Sequence, residues 1–130
     1  MRISFAQIFV NDQDRAVDFY TGKLGFQVKT DAAYGPGARW LTVVSPEDPD
    51  GPELLLDLPD EAASAFQKHV YENGRPAISL TTTDLGADYA RLKEAGVGFT
   101  MAPTQMPYGG TDAVFDDTCG NYINLHQDWA

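Results

Sequence analysis

Ile8-Phe9-Val10-Asn11-Asp12-Gln13-Asp14-Arg15-Ala16-Val17-Asp18-Phe19-Tyr20, closing on Leu24-Gly25-Phe26, is the stretch on which the fold turns, because the chain writes it twice. The second copy runs Ile78-Ser79-Leu80, then Asp84, then a helical stretch ending Ala95-Gly96-Val97-Gly98-Phe99. Each copy continues into extended segments, residues 39–44 and 51–58 in the first and 113–115 and 120–126 in the second. The offset stays near roughly 70 residues, a period that ordinarily marks a repeat architecture. Two copies cannot build a solenoid. The economical reading is one domain, residues 1–130, made of two similar modules, 1–58 and 75–130, with any ligand site between them.

Local signals supply the elements. Residues 3–10 alternate as a strand does, and Asn11 and Asp12 offer N-cap oxygens. Ala16, Val17, Tyr20 and Leu24 then recur at helical spacing until Gly25 supplies a stop. Residues 27–29 resume an extended stretch, Tyr34-Gly35-Pro36-Gly37 is a turn signal, and residues 40–44 and 53–58 read as strands around a proline-rich acidic loop. The first module is therefore β, α, β, β, β. Residues 60–73 form a connector helix, capped by Asp60, striped by Ala62, Ala63, Phe66 and Val70, and closed by Asn73-Gly74. The second module repeats the order: strand 77–82, cap Asp84, helix stripe Leu85, Tyr89 and Leu92, stop at Gly96, then strands near 97–101, 113–115 and 122–126. The expected class is α+β, two paired βαβββ modules forming curled mixed sheets.

Bulk properties narrow the partners. A formal charge of -10 makes nucleic acid and anionic membrane poor partners, since phosphate rewards basic patches, and it favours cationic small molecules. No apolar run approaches membrane-spanning length, and no leader pattern opens the chain, so the expectation is a cytoplasmic protein. One cysteine, Cys119, excludes an intramolecular disulfide. It sits beside Asp116 and Asp117, whose carboxylates disfavour a thiolate, so a catalytic cysteine is not expected. There is no Gly-x-Ser-x-Gly elbow and no phosphate-binding loop with a following lysine.

Asp14-Arg15-Ala16-Val17-Asp18-Phe19-Tyr20, Leu24-Gly25-Phe26 and the closing Phe115-Asp116-Asp117-Thr118-Cys119-Gly120-Asn121, set in β-α-β-β-β modules, resemble the vicinal oxygen chelate superfamily. That group includes glyoxalase I, extradiol dioxygenases, fosfomycin-resistance enzymes and bleomycin-binding proteins. The resemblance covers nearly the whole chain. It implies paired half-cups and a homodimer that completes or exchanges them. It also implies, in metal-bearing members, a divalent ion held by His or Glu on the first and last strands of each module. Transferred position by position, that quartet falls on Phe5, Leu55, Ala77 and Asn124. Three of these carry no lone pair and the fourth is a neutral amide, so the expectation is no metal and no cofactor.

Strand parity puts Leu54, Leu56 and Leu58 on one face and Glu53, Leu55 and Asp57 on the other, with Tyr122, Asn124 and His126 on the matching face of the last strand. A displaced metal set of Gln7, Asp57 and His126 shares this parity; the bland reading makes Asp57 and His126 hydrogen-bonded groups near strand ends. His69 lies near the end of the connector helix, where a dipole partner is expected. Trp40, Tyr108, Phe115, Met101 and Met106 are candidates to line an apolar cup, with Phe115 read as core and Tyr108, in the Pro107-Tyr108-Gly109-Gly110 loop, as a mobile contact. Thr42, Ser79 and Thr81 supply polar groups to orient a guest, or are ordinary strand residues.

The ligand-binding set is thus Phe5, Gln7, Trp40, Thr42, Leu55, Asp57, Ser79, Thr81, Tyr108, Asn124 and His126. The function expected is metal-free binding of an aromatic or cationic small molecule in a cup between modules. Alternatives are a metal-dependent lyase or dioxygenase using Gln7, Asp57 and His126, and a domain with a vestigial pocket whose role is interaction. Whether the chain is an enzyme stays open at this point.

Overall fold

The computed structural model describes residues 1–129. The chain divides into one compact unit, Met1–Phe66, and a second from Gln67 onward. The first holds β1 (Phe5–Phe9), α1 (Gln13–Val17), β2 (Gln27–Gly35), β3 (Ala38–Val44) and β4 (Glu53–Asp57). The helix α2 (Glu61–Glu72) crosses the division. The second holds β5 (Pro76–Thr81), α3 (Leu85–Glu94), β6 (Phe99–Gln105), β7 (Thr111–Asp116) and β8 (Tyr122–Gln127). The class is α+β. Each unit has a four-stranded sheet, ordered β1-β4-β3-β2 and β5-β8-β7-β6, in which the first and last strands of the module run parallel and the other pairs antiparallel. Among the described residues no helix is long and apolar enough to cross a membrane.

In the first unit Asp12 caps α1 by accepting from Arg15 N at 3.0 Å, and Gly25 turns the chain out at φ 80°. Every second strand residue faces the helix, so Ile8, Leu41, Val43 and Leu56 are buried with Ala16, Phe19 and Tyr20. Gln13 ties α1 to the sheet, its amide donating to the Leu56 carbonyl at 2.9 Å and the Arg39 carbonyl at 3.3 Å. One departure from a plain helix is a π-helical continuation over Asp18–Lys23. Thr21 Oγ1 donates to the Val17 carbonyl at 2.6 Å, taking an acceptor that regular α-helical bonding would give to the Thr21 N–H.

The second unit repeats the plan. Asp84 accepts from Ala87 N at 3.0 Å, Gly96 ends the helix at φ 91°, and Leu85, Leu92, Ala113, Phe115, Ile123 and Leu125 form the core. Phe115 is fully buried, as its reading as core requires. The Asp116-to-Asn121 turn is built by Asp117, itself fully buried, whose carboxylate accepts from Cys119 N at 2.7 Å, Asn121 N at 3.1 Å and Asn121 Nδ2 at 2.9 Å. That motif therefore holds a turn, and Cys119 is buried inside it.

The helix α2 departs from expectation in its orientation. Its apolar stripe predicts Phe66 facing the core, yet no residue of α2 is buried and Phe66 is 65% exposed. The half-buried residues are Ala63, Gln67, Val70 and Tyr71, also at helical spacing but rotated round the axis. Polar and aromatic contacts set that rotation. Gln67 Nε2 donates to the Cys119 carbonyl at 3.1 Å, Tyr71 OH donates to Asp116 at 2.5 Å, and the Tyr71 ring stacks on Tyr122 at 4.3 Å and 7°.

Candidate functional site

The sheet faces opposite the cores carry the candidate residues. In the first unit, register pairs Phe5 with Glu53, Gln7 with Leu55, and Thr42 with Leu55. The polar groups there close on one another: Gln7 Nε2 donates to Asp57 at 2.7 Å and Thr42 Oγ1 to Glu53 at 2.6 Å. Phe5 meets Trp40 edge to face at 5.3 Å. Thr42 and Leu55 are buried, Trp40 and Asp57 half-buried, and Phe5 and Gln7 exposed.

In the second unit, Ser79 lies opposite Asn124 and Thr81 opposite His126, while β7 brings Val114 opposite Asn124 and Asp112 opposite His126. Ala77, one step along the Ser79 face, is exposed. Asn124 Nδ2 donates to Ser79 Oγ at 2.9 Å. The centre of this face is His126. Its Nδ1 meets Asp112 at 2.5 Å and its Nε2 meets Asp128 at 2.7 Å. Tyr108 OH donates to the other Asp112 oxygen, and its ring lies over the imidazole at 6.4 Å and 30°. The Tyr108 loop can come this close only because residue 110 has no side chain. A Cβ there would stand 2.5 Å from His126 Cε1 and 2.6 Å from the Gln127 carbonyl, at φ 79°.

Two clefts open beside this cluster. One of about 780 Å³ is lined by Ser79, Tyr108, Asn124, His126, Asp128 and Trp129, among others. The other, about 600 Å³, shares Ser79, Tyr108, Asp112 and Asn124 with it and adds Pro76, Met101, Met106 and Val114, among others. One cleft is thus polar at its head and the adjoining one apolar.

Electrostatics follow from the geometry. Hydrogen bonding to Asp112, then to Asp128, raises the His126 pKa, because each carboxylate favours the imidazolium against the cost of burial. Burial pushes Asp112 up, but hydrogen bonds from Tyr108, His126 and Asn124 together outweigh it and hold its pKa below the ordinary carboxylate value. The Asp112 hydrogen bond also raises Tyr108, which stays a neutral donor. Two carboxylates facing one imidazole leave the cluster with an excess negative charge.

Of the expected ligand set, the structure gathers Ser79, Tyr108, Asn124 and His126 at the 780 Å³ cleft. Thr81 is exposed opposite His126, and Phe5, Gln7, Trp40, Thr42, Leu55 and Asp57 lie on the first unit's own sheet. Asp112, Asp128 and Trp129 are members that the sequence reading passed over. Asp112 carries a usable signal, since it sits two residues before Val114 and so shares its strand face; the expected strand began one residue too late to include it. Among the described residues, no group of three or more His, Cys, Asp or Glu is arranged to hold a metal ion.

Comparison with known proteins bears on the whole chain. Residues 2–125 match the family model described as Glyoxalase/Bleomycin resistance protein/Dioxygenase superfamily. The protein YurT of Bacillus subtilis (strain 168) is 51% identical over 129 residues, covering 98% of this chain and 99% of YurT. The crystal structure of UcmS2 superposes with a TM-score of 0.82 at 36% identity, over 97% of each chain. TnmS3, an antibiotic binding protein from Streptomyces sp. CB03234, superposes with a TM-score of 0.79 at 30% identity, covering 99% of this chain and 97% of TnmS3.

Proposed function

The chain belongs to the glyoxalase/bleomycin resistance protein/dioxygenase superfamily, and from that premise we propose that it binds a small aromatic or cationic molecule without a metal ion. The observation that carries this reading is the chemistry at the positions where the resemblance implies metal ligands. Phe5, Leu55 and Ala77 have no lone pair, and the Asn124 amide donates to Ser79. Divalent ions of this kind are held by imidazole, carboxylate or thiolate, so the residues present do not fit one.

The displaced set fits no better. Gln7 and Asp57 are bonded to each other, and His126 stands between two carboxylates. With both ring nitrogens turned to carboxylates, the imidazole presents no open nitrogen to a metal. The 780 Å³ cleft lies within the roughly 300–1,000 Å³ of ordinary small-molecule sites, and it combines exposed rings with a few fixed polar groups. TnmS3 is an antibiotic binding protein, which supports the same class of role here.

Elemental analysis of protein purified without chelator tests the metal-free half. No stoichiometric divalent ion is expected; one per chain, lost in His126→Ala, overturns the proposal in favour of a lyase or dioxygenase. A thermal-shift screen against aromatic and cationic metabolites tests the binding half, and a complete absence of stabilising compounds overturns it in favour of an interaction domain. The reading extends to a cytoplasmic homodimer, which light scattering tests: twice the chain mass supports it and a single-chain mass overturns it.

A further inference from the structure

The two carboxylates that hold His126 are unequal in every structural respect. Asp112 sits on β7, is locked opposite His126 by strand register, and its side chain is 3% exposed. It also accepts a hydrogen bond from Tyr108. Asp128 follows the last residue of β8, lies two residues from His126, and its side chain is 89% exposed. One contact is built into the sheet; the other is local and open to water. An exposed ion pair of this kind contributes little and exchanges readily.

The donor inventory sharpens the contrast. Nδ1 is committed to Asp112, so Nε2 is the imidazolium donor that something entering the cleft can address. Tyr108 and Trp129, at 68% and 60% exposure, stand at the same cleft, and the adjoining cleft is walled by Pro76, Met101, Met106 and Val114. A charged donor at the head of an apolar slot matches a flat apolar body with an acidic end.

We infer that Asp128 is an internal stand-in for the ligand: it occupies the His126 Nε2 donor that the carboxylate of a planar aromatic acid takes, and binding exchanges one carboxylate for the other. This rests on the second unit's cleft being the binding site, and within that reading it names the guest's head group. The chain's overall negative charge acts at long range and slows an anion's approach. The contact itself is decided by the donor that the head group meets.

The test uses a matched pair of probes, 2-naphthoate and 2-naphthylmethylammonium, titrated calorimetrically into the full chain and its Asp128→Ala variant, which alters an exposed side chain and leaves the core untouched. Removing the competitor tightens 2-naphthoate by about threefold, the scale of an exposed charge-assisted contact, and leaves the cation no better bound. In wild-type protein, 2-naphthoate also moves the His126 Nε2 resonance, and His126→Gln abolishes the preference for the acid over the amine. A cation bound by the wild type and lost in Asp128→Ala overturns the inference while leaving the cleft as a binding site. So does 2-naphthoate affinity that is unchanged or weakened in Asp128→Ala. Failure of both probes with both proteins overturns it too, and the broad screen then decides separately whether the cleft binds anything.

Discussion

The sheets β1–β4 and β5–β8 share strand order, pairing directions and capped helices, yet their open faces hold different chemistry. On the first, polar groups pair off in an amide–carboxylate contact, Gln7 to Asp57, and a hydroxyl–carboxylate contact, Thr42 to Glu53. On the second, one imidazole is gripped by two carboxylates beside open clefts. Duplication of a module preserves what the backbone needs, which is buried apolar faces, caps and turns. It leaves the outward residues free to diverge, because they carry little of the folding free energy.

That contrast can be broken at several points. If the two scaffolds are equivalent, truncating a fully buried residue in either costs a similar large amount: Leu41→Ala about 2–5 kcal/mol and Phe115→Ala about 3–5 kcal/mol by urea denaturation. A large loss at one and a negligible loss at the other would make one sheet the sole bearer of stability. The loops before the last strands should differ instead. Asp117 is buried with three backbone and side-chain donors, so Asp117→Ala costs about 2–3 kcal/mol, whereas exposed Asp48, at the matching place in the first unit, costs under about 0.5 kcal/mol.

Glycine substitutions sharpen the difference between the faces. Gly37 at φ 72° has open space, so Gly37→Ala costs about 1 kcal/mol from backbone strain alone. Gly110 has a similar φ but no room, so Gly110→Ala costs about 2 kcal/mol or more and displaces the His126 ring, visible as a shift of its Cε1 proton. A Gly110→Ala protein with an unmoved His126 would mean that the Tyr108 loop is not seated as described.

The smallest effect expected is a near-neutral pH dependence that comes from the second face. His126 titrates above its ordinary value when folded, so its pairing stabilises fully below about pH 6.5 and that contribution is lost as pH rises through the raised folded pKa. Melting temperatures of wild type and His126→Gln should therefore converge across that window. Curves that stay parallel would show that the imidazolium adds nothing to stability.

Much of this molecule is legible in the order of its residues. Asp12, Gly25, Asp84 and Gly96 mark both helices by rules that operate within one turn, and alternation along residues 53–57 and 122–126 assigns strand faces correctly, whereas Leu58 lies beyond β4 and is exposed. The connector's orientation was not legible, because Gln67 and Tyr71 win over Phe66 through partners about fifty residues away. The π-helical turn escaped for a related reason: a single hydroxyl, that of Thr21, shifts a ladder whose apolar spacing looks unremarkable.

By itself, then, the sequence determined a doubled β-α-β-β-β plan, its caps and turns, the carbon side chains Phe5, Leu55 and Ala77 at three of the four positions to which the resemblance transfers metal ligands, and which strand face each candidate occupies. Only the tertiary structure decided that Asp112 of β7 meets His126 of β8, and that Gly110 lets Tyr108 close over them. The physical reason is the range of the forces involved. Capping and alternation act between neighbours along the chain, whereas the Asp112–His126 pair depends on the lateral register of β7 against β8, which exists only after the sheet has assembled.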